Sequence, residues 1–234
     1  KQALREDDER DGSFPLRSEE HYRSHQIDLL LGNAAIRLDV KKRTVTFEDG
    51  NEVLFDDLII ATGCRANTLY TEGGVPLPVL RSADDARWLR KEASKYSTAI
   101  LIGAGFIGME VAAGLRRRGI DVTVLEAAPS PFQNSLGPEL ASWLCGYHAS
   151  QDVHVIAGVQ VAAVRGGPGQ YQVALSDGRI LEAGIVLAGI GVRPNVEWLE
   201  GSGVPYSSVG VQCEDSGNTG LPGIVVAGDV AASF

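Results

Sequence analysis

Residues 100–109 read ILIGAGFIGM, and the fold turns on how they are read. An apolar run leads into Gly103, Gly105 and Gly108, the spacing G-x-G-x-x-G. The first glycine allows a tight turn out of a strand, the second lets backbone approach a pyrophosphate, and the third lets a helix pack closely on the strand. Ala104, Phe106 and Ile107 complete the loop, and the N–H groups at the helix start face the phosphates. The spacing alone is weak, because glycine-rich turns are common. Its neighbours strengthen it. TAILIGAG predicts a strand and turn, FIGMEVAAGLRRRG a helix closed by Gly119, and IDVTVLEAAP a second strand, which is the β-α-β order the motif needs. Glu126 ends that second strand, eighteen residues beyond Gly108. A carboxylate there accepts ribose hydroxyls and repels the 2′-phosphate of NADP, and the following AAPSP holds no arginine to receive one. The expected ligand is therefore NAD, as NADH. A structural turn without ligand and a surface acid at a strand end are the plainer alternatives.

Working outward, SADDARWLRKEASK (residues 82–95) places Ala83, Ala86, Leu89 and Ala93 at helical spacing behind Ser82 as N-cap. Upstream, IDLLLG and AIRLDV look like strands, RTVTFEDGNEVLFD reads as a hairpin about DGN, and LIIATG as a buried parallel strand. Residues 1–25 read as charged surface, with a short helix at SEEHYRSH. Downstream, PELASWLCGYHAS is a helix, and VHVIAG, VQVAAVRGG, YQVALSDG and RILEAGIVLAGIG suggest a small antiparallel meander. LIIATG and GIVVAGD, two strands ending in glycine turns, flank the β-α-β unit and fit one sheet interrupted by an insertion.

With 234 residues, 44% of them hydrophobic, the chain can bury a substantial core. A net charge of −9 gives nucleic acid and anionic membranes no electrostatic footprint. Cys64, Cys145 and Cys213 are widely spaced, which suits a reducing cytoplasm and offers neither a metal cluster nor a redox disulfide; Cys64 reads as a small buried hydrophobe. His148 and His154 have no ligand spacing, so no metal is expected. No run approaches the roughly eighteen apolar residues of a membrane span, and no signal peptide is visible. Arg116, Arg117 and Arg118 compensate a helix dipole in solvent, with a docking patch for an acidic electron carrier as the sharper alternative.

FDDLIIATGCRAN, GAGFIGMEVAAGLRRRG, VLAGIGVRPNVEWL and GIVVAGDVA, in this order, resemble the FAD-dependent pyridine-nucleotide oxidoreductases, specifically the ferredoxin reductase-like group that serves oxygenases. The resemblance runs over nearly the whole chain. It implies an α/β fold with two dinucleotide-binding (Rossmann-like) domains, an NAD domain (residues 67–195) inserted in a partial FAD domain (1–66 and 196–234). Ala61, Thr62 and Gly63 match the turn by which the chain leaves the flavin domain, and Gly189, Gly191, Arg193, Pro194 and Asn195 match the return. Gly228 and Asp229 match a pair whose aspartate bonds a ribityl hydroxyl of FAD. Glu110 matches a glutamate near the nicotinamide carboxamide, and Lys1 a lysine near the flavin. Taken singly, Ala61–Gly63 could be an ordinary strand end, Asp229 a helix N-cap, and Glu110 a solvated first-turn acid.

The sequence departs from the family pattern at Cys64, Arg65, Ala66 and Asn67, where proline and arginine often follow the A-T-G turn. It also lacks the family's N-terminal glycine fingerprint and C-terminal domain, and it begins without methionine. The expectation is a complete NAD site, an incomplete FAD site and an upstream piece. The implied activity is electron transfer from NADH through FAD to an iron–sulfur carrier such as a ferredoxin, with no side chain acting as catalytic acid or base. Alternatives are an NADH oxidase, a disulfide or nitrite reductase flavoprotein, and a non-catalytic NADH- and FAD-binding redox sensor. The oligomeric state is left open.

Overall fold

The computed structural model describes residues 16–233, which divide into two compact units, Ala66–Gly191 and residues 16–65 with 192–233. The chain opens with α1 (Glu19–Ser24), whose N-cap Ser18 accepts the His21 N–H and whose first turn carries Glu19 and Glu20. IDLLLG follows and is not a strand: no described strand runs beside residues 27–31, and Leu31 is 76% exposed. Without a neighbour to take its N–H and C=O groups, an apolar run gains nothing from extending. Then come β1 (Ala35–Asp39), β2 (Thr44–Phe47) and β3 (Glu52–Leu54), an antiparallel sheet in that order. The β2–β3 hairpin forms where DGN predicts it, with Gly50 at φ +83 and Asp49 Oδ1 accepting the Asn51 N–H. β4 (Leu58–Ile60) and β5 (Cys64–Ala66) end this first pass.

In the Ala66–Gly191 unit, α2 (Ala83–Ala93) starts in a full capping box between Ser82 and Asp85. β6 (Thr98–Ile102), α3 (Phe106–Arg116), β7 (Asp121–Glu126), α4 (Gln133–Ser150) and β8 (His154–Ala157) follow. Next are β9 (Val161–Arg165), β10 (Tyr171–Leu175), β11 (Ile180–Ala183) and β12 (Ile185–Ala188). The expected four-segment meander is smaller than its sequence suggests. Only β9, β10 and β11 form it; β8 and β12 join a four-stranded parallel sheet in the order β12-β6-β7-β8. Successive residues of β6 and β12 alternate between two cores. Ala99, Leu101, Ile185 and Leu187 pack with the helices, while Ile100, Ile102, Val186 and Ala188 pack with meander residues such as Val173 and Leu175. Cover on both faces makes residues 99–102 of β6 and all of β12 apolar and buried at successive positions, and such a run does not disclose the direction of its neighbour.

The last pass supplies β13 (Val192–Pro194), β14 (Tyr206–Ser207), β15 (Gly210–Cys213), β16 (Ile224–Val226) and β17 (Ala231–Ser233). β13 pairs with β5, and β16 pairs with β4 in parallel register, Leu58 with Ile224 through Ile60 with Val226. The two strands that end in glycine turns are thus neighbours in one sheet. Their alternate residues Ile60, Ile224 and Val226 enter a core with Leu38, Val211 and Val230. Their outward partners Ile59 and Val225 are exposed, so LIIATG is buried on one face rather than two among the described residues.

Candidate functional site

The glycine turn joins β6 to α3, and each glycine meets a different demand. Gly103 has φ +107, and a Cβ on it would collide with the backbone of Gly189, whose N–H donates to the Ile102 carbonyl at 2.7 Å. A Cβ on Gly108 would strike the Gly103 carbonyl oxygen, so the closeness of helix to strand excludes any side chain. Gly105 is different. Its backbone is extended (φ −76, ψ −179), and a Cβ would meet nothing within 4 Å. The protein's own packing does not demand glycine there; what its absence of a side chain leaves is room on the loop, as a phosphate cradle requires. Gly105 is the N-cap of α3 with no side-chain cap, and bonding within the helix begins with the Met109 N–H on the Gly105 carbonyl. The N–H groups of the first turn face outward, an anion-binding arrangement.

Glu126, the last residue of β7, is seated on this loop. Its Oε2 accepts the Ala104 N–H at 2.7 Å and its Oε1 the Ala128 N–H at 2.8 Å. Each oxygen keeps a lone pair, so two further donors such as vicinal hydroxyls fit without displacing either bond. Phe106 is exposed beside the loop, with its ring centroid 5.2 Å from that of buried Phe132, a contact nothing in the sequence announces. Glu110 is exposed on α3, beyond the first turn, where no acid stands. The dipole explanation for it therefore falls away. Gly191 has φ +92 and accepts the Asn67 N–H at 2.9 Å through its carbonyl, while the Asn67 amide donates to the Ile190 carbonyl.

The other unit gathers the remaining residues where β4 and β16 end side by side. Ala61 and Thr62 are exposed, and Gly63 has φ +61. The Thr62 hydroxyl donates to the Asn195 carbonyl at 2.8 Å, the Asn195 amide donates to the Thr62 carbonyl at 2.8 Å, and the Asn195 N–H donates to the Gly63 carbonyl at 2.9 Å. The outgoing turn and the return segment are thus laced together. Arg65 tightens the lacing, giving hydrogen bonds to Asn195 Oδ1 at 2.7 Å and to both oxygens of Glu197. This pairing holds the Glu197 carboxyl far below its ordinary range, at about 2. Gly228 (φ +75) opens a 3₁₀ turn over Gly228–Val230. Exposed Asp229 lies inside that turn, whose N-cap is Ala227, so Asp229 is not a helix N-cap. Buried Cys64 donates its S–H to the Asp229 carbonyl at 3.1 Å, the behaviour of a small apolar residue with a weak donor. Exposed polar groups at the carboxyl ends of two parallel strands, beside glycines with open space at Gly228, fit the ribityl and phosphate parts of a dinucleotide. Lys1 lies outside the described residues.

Among the described residues no group of three or more His, Cys, Asp and Glu side chains is placed to hold a metal ion, and no helix is long and apolar enough to cross a membrane. Burial lowers the pKa of His148. Arg116, the last residue of α3, donates to the Ile120 carbonyl at 3.0 Å and is paired with Asp121 at 2.6 Å and Asp152 at 3.5 Å.

The sequence profile of the family described as pyridine nucleotide-disulphide oxidoreductase matches residues 1–234. The rhodocoxin reductase of Rhodococcus erythropolis is 34% identical over 236 residues, which cover 99% of this chain and 55% of that protein. The ferredoxin reductase component of a chlorobenzene dioxygenase from a Cupriavidus species is 34% identical over 213 residues, 90% of this chain and 52% of the relative. A crystal structure of a ferredoxin reductase from Rhodopseudomonas palustris superposes with a TM-score of 0.89 at 29% identity, covering 99% of this chain and 57% of the other. The chain spans about half the length of these relatives.

Proposed function

Since the chain belongs to the pyridine nucleotide-disulphide oxidoreductase family, we propose that it serves a flavoprotein reductase that passes electrons from NADH through FAD to an iron–sulfur carrier of the ferredoxin type. The Ala66–Gly191 unit takes the nicotinamide dinucleotide and the other unit contributes to FAD binding. The names of the relatives, a rhodocoxin reductase and the ferredoxin reductase component of a dioxygenase, support the acceptor class. The three free cysteines fit a reducing compartment such as the cytoplasm.

The roles of the chain's own groups follow from their placement. The first turn of α3 directs N–H groups at the pyrophosphate, and Gly105 leaves it space. Glu126 accepts the ribose hydroxyls on the lone pairs that Ala104 and Ala128 leave, and its charge turns away a 2′-phosphate. Glu110 orients the carboxamide. Ala61, Thr62, Gly63, Gly228 and Asp229 line the flavin's seat, with Asp229 accepting from a ribityl hydroxyl. Bound FAD supplies the exchange between a two-electron donor and a one-electron carrier, and the protein positions it.

The observation that carries this reading is the Glu126 carboxylate pinned on the glycine loop. Removing a charge-assisted hydrogen bond costs about 1.5–3 kcal/mol, so Glu126→Ala should weaken NADH binding by roughly ten- to a hundredfold and narrow the gap to NADPH. Titration of wild type and variant with both nucleotides measures this. A wild type that prefers NADPH would sink the assignment.

A further inference from the structure

Two residues of the glycine loop are held from outside it, and one stretch of chain holds both. At the start of that stretch Glu126 accepts the N–H of Ala104, the residue before Gly105. At its end the Phe132 ring lies 5.2 Å, centroid to centroid, from that of Phe106, the residue after Gly105, with the planes tilted by 45°. The stretch between is stiff. The Ala128 N–H donates to the Glu126 carboxylate, and the Ala128 carbonyl accepts the Gly158 N–H at 3.0 Å. Pro129 and Pro131 then fix two φ angles and turn Ala128 and Ser130 toward extended backbone. Residues 126–132 thus brace the loop on both sides of the glycine that leaves room for a phosphate.

Phe132 ends the brace in an unfavourable conformation. Its backbone is left-handed (φ +61, ψ −7), a region that bulky side chains avoid and that glycine or asparagine enters more readily. Its carbonyl starts α4 by accepting the Ser135 and Leu136 N–H groups at 2.9 Å, a task open to any residue. What phenylalanine adds is the ring, which is buried in the core that includes Ala104 and Met109 and set against the Phe106 ring. Strain of this kind collects at ligand clamps.

We propose that Phe132 is a positioning residue for the nucleotide: it fixes the Phe106 ring as a wall beside the phosphate cradle, so the loop has its binding shape before NADH arrives. Such preorganisation raises affinity by removing ordering that binding would otherwise impose. The inference rests on the assignment of the glycine loop to NADH.

Anaerobic stopped-flow mixing of the full-length, FAD-loaded protein with NADH tests it. The rate of flavin bleaching against NADH concentration gives a half-saturating concentration, and the amplitude gives the fraction of competent protein. Phe132→Leu and Phe132→Met, which keep an apolar side chain without a ring, should raise the half-saturating concentration about three- to tenfold at full amplitude. Phe106→Ala should raise it as much, and adding Phe132→Leu to Phe106→Ala should raise it no further, because Phe132 acts through Phe106. A half-saturating concentration unchanged in the ringless variants, with or without lost amplitude, would reduce Phe132 to a packing residue and overturn the proposal. So would an unchanged value in Phe106→Ala, which would mean that another part of the protein covers that ring, or effects that multiply in the double variant. A wild type that NADH does not bleach would overturn the assignment of the loop, and this inference with it, before any variant is compared.

Discussion

Asp229 is exposed on a 3₁₀ turn that Ala227 caps, and its carbonyl is held by the Cys64 thiol. The backbone of the turn is thus held by a buried side chain while the residue itself is exposed. Losing a charge-assisted hydrogen bond costs about 1.5–3 kcal/mol, or one to two decades in affinity. Asp229→Ala should therefore lose flavin and keep its melting temperature, with NADH binding unchanged. Flavin occupancy and melting point measured together decide the matter: full occupancy with a lowered melting point would give the residue a structural role only. Arg65 and Glu197 carry a second residue-scale prediction. The folded Glu197 carboxyl lies at about 2, below its ordinary 4.5, so the pair stabilises the fold above that ordinary value and is lost as pH falls toward 2. Both side chains are partly exposed, which limits the effect to about 1 kcal/mol or less. Glu197→Gln should be less stable than wild type near neutrality, and denaturant midpoints should converge as pH drops toward 2; a constant gap would contradict the pairing. Glu126 was legible in the sequence because a fixed spacing ties a strand-end acid to a glycine turn. The Arg65–Glu197 contact was not, since its partners are 132 residues apart and no pattern links them.

The glycine turn and its flanking elements allow a sharper test than any single side chain. Gly105 and Gly108 belong to one motif but answer to different forces. A Cβ at Gly108 strikes the Gly103 carbonyl, so Gly108→Ala should destabilise the unit by about 1–3 kcal/mol through overpacking. At Gly105 the same methyl group enters open space on ordinary backbone, and the loss is at most about 1 kcal/mol of N-cap preference. Gly105→Ala should accordingly fold and melt nearly as wild type while binding NADH at least about tenfold more weakly, as a methyl group in a phosphate cradle demands. Calorimetric titration beside thermal melting separates the two; unchanged NADH affinity in Gly105→Ala would place the nucleotide elsewhere. The β-α-β unit, helix α2 and the β2–β3 hairpin were readable because capping, turn and periodicity signals agree there. β12 lies outside the meander although its sequence suggests otherwise, because a strand apolar at every position looks the same whether its neighbour is parallel or antiparallel, and the short β8, with exposed His154, carries no signal of its parallel partner either. IDLLLG failed for the opposite reason, having strand-like residues without a partner strand among those described.

At the scale of the molecule, the chain leaves one unit at Arg65 and re-enters it at Val192, and β4 finds β16 across the whole intervening segment. Two glycine-ended strands flanking a β-α-β unit make that interruption visible in the sequence. How the return is laced to the outgoing turn, through Thr62, Asn195 and Arg65, is a matter of three-dimensional meeting that local patterns do not carry. The account's central claim is that this chain serves electron transfer from NADH through FAD to an iron–sulfur carrier. The most direct measurement is anaerobic: the full-length protein, loaded with FAD, is mixed with NADH and then with an oxidised [2Fe–2S] ferredoxin while the visible spectrum is followed. The account predicts that NADH bleaches the flavin, that NADPH does so far more slowly, and that the ferredoxin then becomes reduced as the flavin colour returns. A flavin that stays oxidised with NADH, or one that bleaches and leaves the ferredoxin untouched, would contradict it.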